Sequence, residues 1–96
     1  MAILYEKRYF AFAMNKSEKE LFLKLLGQQV SKAREKRGVS SAELARKAFA
    51  DTSLISRIEK GRTNPTSTTL KMICEALEIS FEELFEGFYD KPKTEL

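Results

Sequence analysis

Histidine is absent from this chain of 96 residues, and cysteine occurs once, as Cys74. Without histidine there is no Ser-His-Asp nucleophilic relay. With one cysteine and no imidazole, a zinc site has almost no ligands to build on. A lone cysteine closes no internal disulfide, which suits a reducing cytoplasm. Long apolar runs are missing too, since none approaches the roughly 18 residues that a membrane span needs. Residues 1–13 hold Glu6, Lys7 and Arg8 in their middle, where a secretion signal would be apolar. There is no glycine-rich phosphate loop, and the acids lie mostly towards the end of the chain instead of clustering as a nuclease requires. The expectation is therefore a cytoplasmic protein with no enzymatic activity, no cofactor, no metal and no membrane partner.

What is present fits a soluble globular domain, with 43% hydrophobic and 32% charged residues. A chain of this length buries only roughly 60–65% of its unfolded surface, so a partner subunit would add stability. The net charge of +3 is a weak signal, and its distribution says more. Residues 24–62 carry ten basic side chains against four acids, a net +6. Residues 75–96 carry seven acids against Lys91 and Lys93, a net −5. A basic middle and an acidic end suggest one face for phosphates and another for something else.

Along the chain, Tyr9, Ala11 and Ala13 alternate with Phe10, Phe12 and Met14, a period of two that reads as a short strand. Such a strand must pair somewhere, and an arm over residues 1–16 that pairs with a second subunit is one reading. An upstream extension is the other, because Met14-Asn15-Lys16 reads as a start of its own. Five short helices follow over residues 17–89. Ser17-x-x-Glu20 predicts a capping box for the first, with Phe22, Leu25, Leu26, Gln29, Val30 and Ala33 as its stripe and Gly38 as its left-handed end. Ser40-x-x-Glu43 opens the second. Asp51 is the expected cap of the third, whose apolar positions are Leu54, Ile55 and Ile58 and whose stop is Gly61. Asn64-Pro65 forces an extended connection. Leu70, Ile73, Cys74 and Leu77 mark the fourth helix. Ser80-x-x-Glu83 caps the fifth, which carries Phe81, Leu84 and Phe85 and is expected to end at Gly87. The tail over residues 90–96 reads as disordered.

The informative constellation spans residues 40–61, two short helices joined by a tight turn. Ala45 and Ala48 allow close approach. Ile55 and Ile58 anchor the second helix and leave Thr52, Ser53, Ser56 and Arg57 facing away from the core. A helix with one buried side and short donors plus an arginine on the other is what a DNA major groove admits.

The chain resembles the phage-repressor/Cro (XRE-like) helix-turn-helix regulators, which include restriction–modification controller proteins. The resemblance runs through Arg34 before Gly38, Glu43-Leu44-Ala45, Lys47-Ala48, Ile55-Ser56-Arg57-Ile58-Glu59-Lys60-Gly61, Asn64-Pro65, and Ala76-Leu77 before Ser80. It implies an all-α, five-helix, lambda-repressor-like domain that binds a palindromic double-stranded DNA operator as a homodimer, in the manner of a transcriptional regulator. Carried over by position, Thr52, Ser53 and Arg57 are base readers. Ser41, Ser56, Arg62 and Asn64 are phosphate contacts, and Arg34 and Glu59 form a structural ion pair. Two positions depart from the family. Phe49 stands where glycine is usual, so either the turn has another shape or the ring plugs a gap in the core. Ser41 stands where a longer glutamine often reaches a phosphate.

Cys74 reads as a small core hydrophobe. Phe81, Phe85, Phe88 and Tyr89 gather at the acidic end. They are either monomer core or, with parts of the fourth helix and the arm, a twofold interface. One helix-turn-helix touches too few bases alone, and two subunits place their reading helices about 34 Å apart. The rival function is an antitoxin-like interaction protein that also binds its own operator.

Overall fold

A computed structural model describes residues 14–88, and among these every element is helical. The strand or arm expected over residues 1–13, Tyr89 and the tail over residues 90–96 lie outside the described residues. The helices are α1 (Lys16–Arg37), α2 (Ser41–Lys47), α3 (Thr52–Glu59), α4 (Ser67–Leu77) and α5 (Phe81–Leu84), followed by a 3-10 turn at Glu86–Phe88. The domain is all-α, as the pattern of stripes and caps indicated.

The helix starts are set by side chains that take up orphan backbone amides. Asn15 caps α1, two residues before the serine expected there. Its side-chain oxygen accepts from the Glu18 amide at 2.8 Å, and the Glu18 carboxylate accepts from the Asn15 amide at 2.9 Å. Two overlapping Asx/Ser-x-x-Glu frames were available, and the asparagine frame, a full reciprocal box, wins. Ser17 consequently lies inside the first turn. Ser40 caps α2 and Ser80 caps α5, the latter with both halves of its box formed. Asp51 flanks α3 but makes no side-chain cap bond, contrary to expectation. Thr66 caps α4.

Four helices end in the same way. In each, one residue at the helix end donates to the third carbonyl back and the next residue to the fifth, which is the Schellman arrangement. The pairs are Gly38 and Val39 on Glu35 and Arg34, Phe49 and Ala50 on Arg46 and Ala45, Gly61 and Arg62 on Ile58 and Arg57, and Glu78 and Ile79 on Glu75 and Cys74. The motif needs one residue with positive φ, and these are Gly38, Phe49, Gly61 and Glu78. Gly87 ends nothing. The last helix stops at Leu84 with Phe85 as its cap, and Gly87 sits within the 3-10 turn.

The core runs through all five helices: Leu26 and Val30 from α1, Leu44 and Ala45 from α2, Ala48 just after it, Ile55 and Ile58 from α3, Leu70, Ile73, Cys74 and Leu77 from α4, and Leu84 from α5. α1 packs mainly on α3, α2 on α3 and α4, and α5 on α1 and α4. The Gln29 side-chain amide donates to the Leu84 carbonyl at 3.1 Å, fastening α5 to α1. Cys74 is core, and its burial pushes the thiol above its ordinary range.

Candidate nucleic-acid interface

α3 has only two turns, and its sequence divides them sharply. Ile55 and Ile58 are buried, and Leu54 is half-buried behind them. Thr52, Ser53 and Arg57 are exposed, and Ser56 is half-buried. Those four positions fall at i, i+1, i+4 and i+5, so they share one side of the helix. Ser41 opens α2 and is half-buried, while Arg62 and Asn64 are exposed in the segment that leaves α3. The structure thus gathers the four α3 residues on one side and sets Arg62 one hydrogen bond from them, its amide on the Arg57 carbonyl at 2.8 Å.

Two features hold α3 in place. The first is ionic. Arg34 donates to Glu59 twice, from Nε at 2.7 Å and from Nη2 at 3.2 Å, and a third donor reaches the Val39 carbonyl at 2.9 Å. The pair is largely buried, with 16% and 10% of the two side chains exposed. The Glu59 hydrogen bond holds the guanidinium above its usual pKa against the opposing effect of burial, and the charges of Glu59 and Glu35 add to it. Since the shift is upward, the arginine side of this contribution is lost only as pH rises through the arginine range. One side chain therefore ties together α1, α3 and the turn into α2.

The second is steric, and the sequence reading missed it. A β-carbon at Gly27 would collide with the Ile58 carbonyl and lie 2.6 Å from the Glu59 carbonyl oxygen. α1 and the end of α3 therefore meet backbone to backbone. The only signal was a glycine in mid-helix, which costs about 0.5–1 kcal/mol against alanine and so calls for a reason.

The turn between α2 and α3 keeps the left-handed shape despite its side chain. Phe49 has φ 56°, and 85% of it is exposed. Neither expectation for this residue holds, because the turn is not reshaped and the ring plugs no gap. The Schellman bonds of Phe49 and Ala50 dictate the backbone, and a residue at that position points outward.

Where α1 meets α5, Phe22 stacks on Phe85 with centroids 6.4 Å apart and meets Phe88 at 5.1 Å. Phe85 and Phe88 are half-buried, and Phe81 is 42% exposed. These aromatics are in part monomer core, with one side open.

Residues 30–84 match the helix-turn-helix family profile. The chain belongs to the helix-turn-helix family. Among its relatives, an uncharacterised HTH-type transcriptional regulator, y4dJ of Sinorhizobium fredii, is 33% identical over 61 residues, covering 64% of this chain and 79% of that protein. The HTH-type transcriptional regulator SinR of Bacillus subtilis is 33% identical over 72 residues, covering 74% of this chain and 62% of SinR. Among solved structures, the restriction-modification controller protein C.AhdI from Aeromonas hydrophila superposes with a TM-score of 0.67 at 29% identity, covering 68% of this chain and 98% of that one. The wild-type controller protein C.Esp1396I gives 0.64 at 32% identity, covering 68% and 86%. This helix-turn-helix protein therefore sits among transcriptional regulators, not enzymes, and DNA-binding regulation is the activity its family supports. No helix among its described residues is long and apolar enough to cross a membrane.

Proposed function

We propose that this helix-turn-helix protein is a sequence-specific regulator that binds a palindromic double-stranded DNA operator as a homodimer. The observation that carries the reading is the division of α3, whose isoleucines are buried while Thr52, Ser53 and Arg57 stand in solvent. Arg57 reads a guanine edge, the commonest specific major-groove contact. Thr52 and Ser53, in the first turn of α3, donate to neighbouring base edges. Ser41, Ser56, Arg62 and Asn64 contact phosphates, setting register without reading sequence. The Arg34–Glu59 pair holds the reading helix at a fixed angle to α1.

Dimerisation through the open side of Phe81, Phe85 and Phe88, with Tyr89, supplies what two turns of helix lack. A second copy adds a second reading helix one DNA turn away, about 34 Å. Repression follows where such a site overlaps a promoter.

The test is selection of bound duplexes from a random pool, then gel shifts across salt concentrations. A recovered palindrome with steep salt dependence is the expected result. No preference over random DNA would overturn the reading.

A further inference from the structure

α1 begins fourteen residues before the segment that matches the family, at Lys16 against residue 30. Of its residues before Leu26, the first that is fully buried, only Phe22 and Leu23 are even half-buried. This extension nevertheless has a fixed place. A β-carbon at Gly61, where φ is 72°, would lie 2.8 Å from the Lys24 Cα and 2.9 Å from its backbone nitrogen. With Gly27 seated on the Ile58 and Glu59 carbonyls, α1 is pinned to the end of α3 at two points one turn apart.

The joint leaves an open groove of about 1120 Å³ between the α1 extension and the segment leaving α3. Lys24 and Gln28 line one wall, and Lys60 and Arg62 line the other. Glu20 and Glu59 also border it, but both Glu59 oxygens are taken by Arg34. Among the described residues, no carboxylate pairs with Lys24, Lys60 or Arg62. Three unneutralised cations and an amide therefore face one carboxylate, Glu20, across a rigid gap. Lys60 lies one turn beyond Arg57, and the Arg62 amide is bonded to the Arg57 carbonyl, so the groove adjoins the exposed side of α3.

We propose that this groove seats a phosphodiester of the DNA backbone flanking the bases read by α3, with Lys24 as the contact contributed by α1. The proposal rests on the DNA-binding reading above and deepens it. Lys24 supplies the charge, Gln28 an amide donor, and Lys60 and Arg62 the opposite clamp, while Glu20 weakens the site.

The full chain is titrated with a random-sequence duplex at several salt concentrations, and the slope of log K against log salt is measured. Each neutralised phosphate contributes about 0.9 to that slope. Lys24→Gln is expected to lower it by about 0.9, Lys24→Arg to keep it, and Glu20→Gln to tighten binding at every salt. Lys36→Gln, on the wall facing Glu83 and Glu86, leaves it unchanged. An unchanged slope for Lys24→Gln, or an equal fall for Lys36→Gln, overturns the groove. A wild-type chain with no salt-dependent DNA binding overturns the parent reading instead.

Discussion

The two ends of α3 are built on opposite principles. Its C-terminal end is gripped. Gly27 and Gly61 bring it against the backbone of α1, and Glu59 is locked by Arg34. Its N-terminal end is left open. Asp51 makes no cap bond, Thr52 and Ser53 stand in solvent, and the turn before them carries an exposed ring on a left-handed backbone. Donors aimed at a base edge must not be satisfied internally, whereas a short helix inserted in a groove needs its angle fixed elsewhere. The molecule puts the fixing at one end and the free donors at the other.

The sharpest way to break that division is at the gripped end. Glu59→Ala strands a largely buried guanidinium, and unfolding by urea should show a loss of about 3 kcal/mol. Replacing both partners with apolar residues of similar size should recover most of it, because no buried charge then remains. Gly27→Ala should cost about 2 kcal/mol, since α1 must lift from the Ile58 and Glu59 carbonyls. At the open end the pattern reverses. Arg57→Ala should weaken specific DNA binding by about 1–3 kcal/mol while shifting stability by no more than about 0.5 kcal/mol. An equal loss on random DNA would make Arg57 a phosphate contact. Phe49→Gly should stabilise by about 1 kcal/mol, because it relieves a left-handed β-carbon and surrenders no burial. Thermal melting should show this as a rise of roughly 4–8 °C. The smallest effect separates the two cap residues. Ser40→Ala removes a cap bond of 3.0 Å and should cost about 1 kcal/mol. Asp51→Ala removes none and should change stability by only a few tenths.

Much of this was legible because it is local. Gly38 at a helix end, Ser40 and Ser80 three residues before glutamates, and the spacing of Ile55 and Ile58 each declare a backbone state within one or two turns. Other local signals misled, as at Asp51 and Phe49. Asn15 and Ser17 offered competing caps, and only the formed bonds distinguish them. Gly87 looked like a stop, yet the last helix ends three residues earlier, where Phe85 turns back onto Phe22. The exposed side of α3 was readable from its short polar residues, but the groove beside it was not. Lys24 and Arg62 are 38 positions apart, and no periodicity joins them.

Sequence alone determined the order of the helices, the caps at Ser40 and Ser80, most of the buried positions and the family, since hydrogen-bond demands at helix ends and apolar period act over a few residues. Tertiary structure decided the rest. Only packing explains a glycine in the middle of α1, because the close approach it permits is to a helix thirty residues away. Only the geometry of the α2–α3 turn explains how Phe49 is held left-handed with its ring in solvent. There the chain reversal sets φ, and the side chain must follow.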